Sequence, residues 1–177
     1  MAKPIAGEPG SAMHIHQSLI SKASGRNIFS NEDDTASQEF RWYIGGLQKY
    51  IPSAMALFAP YVNSYRRLVR SNAAPINIQW GTDNRTVGIR SPLAQAANRR
   101  VENRVIGADA NPYVALAATL ACGYLGSLVE AGELRTTLAE VLGEAFVTVY
   151  TEVKEIEHAE FMKVISPWER EHLLLHV

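Results

Sequence analysis

The chain has 177 residues, of which 47% are hydrophobic and 20% are charged, so it is long enough for one globular domain and too apolar for wholesale disorder. Its 17 basic and 18 acidic residues leave a net charge of −1, which removes the electrostatic argument for a nucleic-acid partner. Cys122 is the single cysteine, which excludes an internal disulfide and predicts a cytoplasmic location. The most apolar run, residues 113–128, predicts a buried helix and no membrane partner.

The first predicted element is a short strand. Residues 13–19 alternate in polarity, so His14 and His16 share one face, about 7 Å apart. Two imidazoles so placed can serve as two metal ligands, or as one ligand and one substrate contact. The alternative is a solvated or hydrogen-bonded pair without a metal.

A helix is predicted next. Thr35 and Gln38 fit a capping box, and apolar residues at helical spacing form one face behind it. Pro52 is expected to end this helix or to restart it as a second one, which Pro60 closes. The apolar face comprises Phe40, Tyr43, Ile44, Leu47 and Ile51.

Strand signals follow. Residues 76–80 and 86–90 alternate, and the turn residues 82–84 between them predict a hairpin, while residues 100–105 predict a further strand. Asn111 and Pro112 open an apolar helix, and an amphipathic helical pattern runs from about Leu138 to about Ile165. The sequence therefore predicts an α+β fold, in which helices pack on one side of an antiparallel sheet.

Arginines are concentrated in the middle of the chain. Residues 66–104 contain eight arginines but only two acids, Asp83 and Glu102. On the predicted strand, Arg100, Glu102 and Arg104 share a face, where a carboxylate can hold a cation while guanidinium groups bind phosphate or carboxylate oxygens. The alternative is a solvated face with weak ion pairs. We favour an anion-binding surface, although the known glycine-rich phosphate loops are absent from the sequence.

Five blocks, in this order, resemble the sequence signatures of glutamine synthetases. The resemblance extends to about Leu128, and residues 166–172 also resemble the end of this family's chains. The blocks are residues 3–19 (KPIAGEPGSAMHIHQSL), 63–69 (NSYRRLV), 84–92 (NRTVGIRSP), 99–104 (RRVENR) and 110–113 (ANPY).

The resemblance implies a set of site residues. It implies that His14 and Glu102 ligate Mg²⁺ or Mn²⁺, and that Gly10, Arg67 and Arg104 hold the substrate glutamate. ATP would contact His16, Ser18, Arg85, Arg90 and Arg100, with Arg85 also catalytic. The implied reaction makes γ-glutamyl phosphate, which an amine converts to an amide, and such chemistry needs metal and guanidinium groups to neutralise the anions it brings together.

One departure from the family concerns the amine. Glutamine synthetases carry a glutamate just before the Ala-Pro of the loop that follows the NSYRRLV block, whereas here Ala73 precedes Ala74 and Pro75. A methyl group cannot attract or deprotonate ammonium. Residues 9–12 and 76–81 instead resemble the γ-glutamylpolyamine (γ-glutamylputrescine) synthetase branch, which implies putrescine or another amine as the acceptor.

A second departure concerns extent. The resemblance implies that residues 1–177 are one partial catalytic domain, that an N-terminal domain and further metal-binding glutamates lie outside it, and that a segment is missing between about 128 and 138. We expect the chain to be inactive alone and its full-length parent to be a homo-oligomer. The apolar residues 173–175 fit either a fold-back onto the core or a subunit contact.

Two other functions remain open from the sequence. The parent could be a glutamine synthetase that uses ammonia, or the chain could be a non-catalytic anion-binding or interaction module. A ligase needs His14 and Glu102 to converge on one ion, and a binding module does not. The amine that supports turnover would separate the two enzymes.

Overall fold

The computed structural model describes residues 1–69, 74–130 and 138–164. The chain divides into two compact units, Met1–Val141 and Leu142–Val177. The first unit contains four strands: β1 (Ile15–Gln17), β2 (Trp80–Thr82), β3 (Ile89–Ser91) and β4 (Val101–Asn103). Its helices are α1 (Gln38–Tyr50), α2 (Met55–Phe58), α3 (Val62–Tyr65) and α4 (Pro112–Glu130), with 3₁₀ turns at Pro52–Ala54 and Ala96–Asn98. Helices α5 (Leu138–Leu142) and α6 (Glu144–Met162) follow.

The four strands form one mixed sheet in the order β1-β4-β3-β2. Strand β4 pairs antiparallel with both β1 and β3, in keeping with the predicted antiparallel sheet, but β2 and β3 run parallel. The prediction of a hairpin between these two strands is therefore wrong, and the antiparallel sheet predicted from the sequence contains one parallel pair.

The side chain of Asn77 explains the parallel pairing. Its Oδ1 accepts hydrogen bonds from the backbone N–H groups of Gln79 and Gly88, and its Nδ2 donates to the carbonyl of Thr86. These bonds bring the chain back beside residue 77 before β3 begins, so β3 starts at the same end as β2. A Cβ on Gly88 would lie 2.2 Å from the Asn77 carbonyl oxygen, so this close approach requires glycine.

Helices α1 and α4 pack on one face of the sheet, which confirms the predicted arrangement. Gln17 of β1 reaches both helices: its Oε1 accepts from the Tyr43 hydroxyl, and its Nε2 donates to the Leu116 carbonyl. Asn103 of β4 donates to Thr119 Oγ1 of α4 at 3.1 Å. This face of the sheet is therefore the core side, and the other face is left for the site.

The two helices cross at glycines. A Cβ on Gly46 of α1 would lie 2.3 Å from the Cys122 carbonyl oxygen of α4, and a Cβ on Gly126 would lie 2.3 Å from the Trp42 carbonyl oxygen. Backbone therefore packs against backbone here. Cys122 itself is buried, and this burial raises the pKa of its thiol to about 12, so it packs as predicted.

The start of α1 differs from the prediction. Ser37, rather than Thr35, is the N-cap, and its Oγ accepts a hydrogen bond from the Phe40 backbone N–H at 3.1 Å. The Thr35 hydroxyl is already engaged, because it donates to Asp33 Oδ1 at 2.6 Å. The predicted apolar face is buried, and Pro52 begins a 3₁₀ turn that leads into α2, as predicted.

The helical pattern predicted from about Leu138 to about Ile165 is not one continuous helix. Gly143, with a φ of +92°, separates α5 from α6. Within the described part of α6 no residue is buried, and Val149 and Ile156 are 60% and 64% exposed. The predicted apolar patch at 173–175 lies outside the described residues. In the described ranges, no helix is long and apolar enough to cross a membrane.

Candidate active site

The sheet register brings charged side chains together on the face away from the helices. Glu102 of β4 pairs with His16 of β1 on one side and with Arg90 of β3 on the other. Residues directly opposite in neighbouring strands point to the same face, so these three side chains form one row across the sheet. The predicted alternation of side chains assigns each residue to this face, and the strand register then aligns the three residues.

Glu102 is at the centre of this row and is 2% exposed. Its Oε2 accepts a hydrogen bond from Arg90 Nη1 at 2.8 Å, and its Oε1 accepts one from Arg104 Nη1 at 2.8 Å. Burial alone would raise the pKa of Glu102, but these hydrogen bonds and the charge of Arg104 lower it below its ordinary value. Glu102 is therefore held as a buried carboxylate. This differs from the alternative of a solvated face with weak ion pairs, in which the acid would be exposed to water.

Both predicted histidines lie beside the same carboxylate oxygen. His14 Nδ1 is 3.1 Å from Glu102 Oε1, and His16 Nε2 is 3.7 Å from it. The pKa of His14 is lowered by burial and by the charge of Arg104, against the opposing effect of Glu102. A lowered pKa favours the neutral imidazole, which is the form that ligates metals.

Arg100 fixes the ring of His16. Its Nε donates to His16 Nδ1 at 3.3 Å, so that nitrogen is the acceptor and the proton of a neutral ring sits on Nε2. His16 therefore presents an N–H towards Glu102, while His14 keeps its Nδ1 within 3.1 Å of the carboxylate. The two histidines are not equivalent.

Arg67 and Arg104 lie close to His14 and are 3% and 6% exposed. The Arg67 guanidinium donates to the Val105 carbonyl, and both arginines are close enough to His14 for their charges to lower its pKa. A Cβ on Gly10 would lie 2.6 Å from Arg67 Cγ, so the backbone at Gly10 passes directly over this arginine. Three of the residues predicted to hold an acid substrate are thus brought together.

Some predicted residues are not brought into the cluster. Arg85 and Ser18 are exposed, and within the described residues neither forms a hydrogen bond or ion pair with Glu102 or its partners. Arg99, one of the eight arginines of residues 66–104, also lies outside the cluster, and its Nε donates to Ser30 Oγ at 2.8 Å. Ala73, on which the amine prediction depends, lies outside the described residues.

Asp83 lies in the cluster, although the sequence analysis treated it only as part of a turn and as one of two acids among the arginines. Its carboxylate forms an ion pair with the second terminal nitrogen of Arg90, which therefore bridges Asp83 and Glu102. The hydrogen bonds to both acids raise the pKa of Arg90 above its ordinary value. The local clue was the position of Asp83 one residue beyond a strand end, where polar side chains often face a site.

The cluster carries more positive than negative charge. Arg67, Arg90, Arg100 and Arg104 outnumber the three carboxylates beside them, Asp83, Glu102 and Asp109, so the surface favours anionic ligands. For a cation, His14 and Glu102 offer one imidazole nitrogen and one carboxylate oxygen, and the described residues contain no group of three or more metal-ligating side chains. Such a pair fits Mg²⁺ or Mn²⁺ only if phosphate oxygens, water or other residues complete the coordination.

Comparison with known proteins identifies similar sequences and a similar structure. The sequence profile described as "Glutamine synthetase, catalytic domain" matches residues 1–134. The chain is 34% identical to "Type-1 glutamine synthetase 2" of Dictyostelium discoideum over 209 positions, which cover 98% of the chain and 40% of that protein. It is 35% identical to "Gamma-glutamylputrescine synthetase PuuA" of Escherichia coli over 206 positions, covering 98% of the chain and 43% of that protein.

The solved structure "Apo GmaS without ligand" superposes with a TM-score of 0.78 at 28% identity, over 98% of this chain and 47% of that one. The chain thus spans less than half the length of these relatives. The matched stretches of 209 and 206 positions are also longer than the 177-residue chain, so these relatives carry residues that the chain lacks.

Proposed function

Because the chain belongs to the glutamine synthetase family, we propose that it forms part of an ATP-dependent ligase that joins glutamate to an amine. In the proposed reaction, the γ-carboxylate of glutamate attacks the terminal phosphorus of ATP, and ADP leaves. The amine nitrogen then attacks the carbonyl carbon of γ-glutamyl phosphate, with loss of phosphate and a proton, and an amide forms. The supporting observation is Glu102, held ionised among two histidines and two arginines on one sheet face.

A divalent cation is proposed at His14 and Glu102. Their nearest atoms are 3.1 Å apart, and the neutral imidazole favoured at His14 suits a ligand role. When bound, Mg²⁺ or Mn²⁺ would supply positive charge to the phosphate oxygens. The residues that hold it would also fix where the terminal phosphoryl group lies.

The acid substrate is proposed to lie at Gly10, Arg67 and Arg104. The two guanidinium groups are almost fully buried, and within the described residues the Nε of each has no hydrogen-bond partner. A buried donor without an acceptor is costly, and a carboxylate is the ligand that relieves such a cost on arginine. The Gly10 backbone borders the same space.

ATP is proposed to contact His16 and two arginines of the cluster. Arg90 and Arg100 lie on either side of Glu102 and His16, where their guanidinium groups can meet phosphate oxygens. Ser18 and Arg85 are exposed, and their contact with nucleotide, like the catalytic role of Arg85, is proposed from the family resemblance. The proposed transfer needs this concentration of positive charge because it gathers several anions in one place.

Putrescine or a similar amine is proposed as the acceptor. The support is Ala73, which replaces an acidic residue, and the 35% identity to the E. coli protein named "Gamma-glutamylputrescine synthetase PuuA". An ammonia-using glutamine synthetase is the competing proposal, since the other relatives carry that name.

The chain alone is proposed to lack turnover. It spans less than half of its relatives, and its described residues offer only two converging metal-ligating side chains. We propose that this chain is a partial catalytic domain, that the segment between about 128 and 138 is shortened, and that the full-length enzyme is a homo-oligomer.

Two assays test these proposals. First, the chain is incubated with ATP, Mg²⁺, glutamate and putrescine, and phosphate release is followed. We expect release at the buffer rate, and sustained turnover would refute the partial-site argument. Second, the chain is extended upstream by the catalytic segment that its relatives have, and putrescine is compared with ammonium. Faster turnover with ammonium would overturn the amine proposal, and no turnover with any amine would overturn the ligase.

Binding of an anion without group transfer is the second candidate function, and the excess positive charge of the cluster favours it. Exchange of Glu102 separates the two functions. A binding module tolerates Glu102→Gln or binds anions more tightly, because a negative charge is removed. In the chain extended upstream, the ligase loses turnover in the same variant.

A further inference from the structure

Asp109 joins two parts of the chain that are far apart in sequence. Its Oδ2 accepts hydrogen bonds from the backbone N–H of Ala2 and from the Ser64 hydroxyl, both at 3.0 Å. Ala2 and Ser64 are both almost completely buried. One carboxylate oxygen therefore ties the start of the chain to helix α3.

The Ser64 side of this tie leads to Arg67. The Arg67 backbone N–H donates to the Ser64 carbonyl at 3.2 Å, so the position of Ser64 fixes the turn from which the arginine side chain projects. The neighbouring Asn63 reinforces the tie, since it accepts from the Lys3 N–H at 2.9 Å and donates to the Lys3 carbonyl at 2.8 Å.

The Ala2 side of the tie leads to Gly10. The Ala2 carbonyl accepts from the Ser11 N–H at 2.7 Å, and it lies 2.6 Å from the position that a Cβ on Gly10 would take. The same hypothetical Cβ would lie 2.6 Å from Arg67 Cγ. Gly10 is thus held between Ala2 and Arg67, and Asp109 anchors both of them.

The second oxygen of Asp109 is also informative. Within the described residues, Asp109 Oδ1 and Arg67 Nε are both buried without a hydrogen-bond partner. Room for Oδ1 depends on Gly107, where a Cβ would lie 2.7 Å from it. Burial lowers the pKa of Arg67, and the charge of Asp109 opposes that effect, so the two groups interact electrostatically.

We infer that Asp109 is a positioning residue, which sets Arg67 against the Gly10 backbone and so determines how tightly the acid substrate is held. The inference rests on the proposed function, since it takes Arg67 and Gly10 as the substrate contacts. Asp109 itself does not touch the substrate. It acts through the tie at Ala2 and Ser64 and through its charge beside Arg67.

Asp109→Asn is the sharpest test, because one amide oxygen can still accept from both Ala2 and Ser64. The variant therefore keeps the tie but removes the charge, and it places an NH₂ group where Oδ1 was. Ser64→Ala is the complementary variant, which keeps the charge and removes one bond of the tie, together with the bond that Ser64 Oγ accepts from the Tyr61 backbone N–H. Asp33→Asn is the matched control, since Asp33 is an exposed carboxylate that bonds only within its own turn.

The first measurement is the ¹H–¹⁵N resonance of Arg67 Nε in the full 177-residue chain. We expect Asp109→Asn to shift this resonance, while the Asp33→Asn spectrum leaves it in place. A purely structural role for Asp109 would leave the Arg67 resonance unchanged in a folded Asp109→Asn variant, and that result would overturn the inference.

The second measurement is titration of the same chains with L-glutamate and, separately, with ATP. We expect Asp109→Asn and Ser64→Ala to weaken glutamate binding about tenfold and to change the ATP dissociation constant less than about twofold. Equal weakening of both ligands, or unchanged glutamate binding in folded variants, would overturn the inference.

The remaining outcomes are also decisive. If Asp109→Asn does not fold, Ser64→Ala provides the binding test, and if neither variant folds, Asp109 is a folding residue and the inference is wrong. If the unaltered chain binds no glutamate, the proposed substrate is wrong for this chain, and the Arg67 resonance alone then decides whether Asp109 positions Arg67.

Discussion

Glu102→Gln should lower the free energy of unfolding, because the side chain of Glu102 is buried between two arginines. The carboxylate is 2% exposed and accepts 2.8 Å hydrogen bonds from both Arg90 and Arg104. Glutamine has nearly the same shape, but it removes the charge and turns one acceptor oxygen into an NH₂ group that faces a guanidinium. Arg104 then loses the anion that balances it beside the charge of Arg67, while Arg90 keeps its ion pair with Asp83.

The expected cost is about 3 kcal/mol in the free energy of unfolding, at the lower end of the range for breaking a buried ion pair, because the amide oxygen still accepts one bond. Asp83→Asn is the matched control. It removes the same charge from the other partner of Arg90, but the Asp83 side chain is 48% exposed, so the expected cost is below about 1 kcal/mol. A difference of about 2 kcal/mol corresponds to a shift of about 4–8 °C in Tm for a chain of this length.

Urea unfolding in the presence of EDTA measures both variants without interference from bound metal. The pKa of Glu102 is lowered in the folded chain, so its contribution is fully present above the ordinary glutamate pKa, near 4.5. That contribution is lost as the pH falls through the folded value, and the difference between Glu102→Gln and the unaltered chain should shrink there. Equal costs for the two variants at pH 7, or a Glu102→Gln cost that does not fall in acid, would refute the reasoning.

Three further predictions concern the helices. Gly46→Ala should lower the free energy of unfolding by about 1–3 kcal/mol or more, because its Cβ would meet backbone atoms of Cys122 and Gly126. Gly45→Ala is the control, since open space surrounds that position, and it should be neutral or stabilising by up to about 1 kcal/mol. Equal unfolding free energies for the two variants would contradict the close packing of α1 on α4. Burial raises the pKa of the Cys122 thiol to about 12, so the folded chain should not react with iodoacetamide at pH 8. The free energy of unfolding should also decline as the pH rises above about 9, because only the unfolded thiol ionises there. Rapid labelling of the folded chain would contradict the burial of this thiol. Asn111→Ala should lower the free energy of unfolding by about 0.5–2 kcal/mol, because Asn111 Oδ1 accepts hydrogen bonds from the N–H groups of Tyr113 and Val114 at 3.0 and 3.3 Å. Thermal unfolding followed by circular dichroism measures this effect. An unchanged Tm would show that the cap does not stabilise α4.

Local patterns in the sequence were sufficient to place His14 with His16 on one strand face, and Glu102 with its flanking arginines on another, but not to place them in one row. Alternation around His14 and His16, and again around Glu102, assigns these side chains to sheet faces before any pairing is known. The pairing then needs only the correct register, which the apolar positions Val101 and Val105 help to set because both must be buried. The burial of Glu102 was not predictable in this way, since it depends on arginines from β3 and from the end of β4.

Non-local hydrogen bonds account for the parts that the sequence did not predict. The parallel pairing of β2 with β3 depends on the amide of Asn77, which bonds to residues nine and eleven positions away. Turn residues at 82–84 are compatible with either a hairpin or this return loop, so local signals could not distinguish them. Asp109 presents the same difficulty on a larger scale, because its partners lie 107 and 45 residues away.

The position of Glu102 also supports a chemical rather than a structural purpose. Its neighbours on β4, Val101 and Asn103, face the helices and complete the core, so the fold does not need a charge on the opposite face. Burying a carboxylate among guanidinium groups is seldom more stabilising than well-packed apolar residues, because desolvation offsets the attraction. A sheet selected for stability alone would therefore favour apolar side chains in this row. This face of the sheet instead carries an ionised Glu102 with two imidazoles and two guanidinium groups around it. Such an arrangement is suited to holding a cation and an anion side by side.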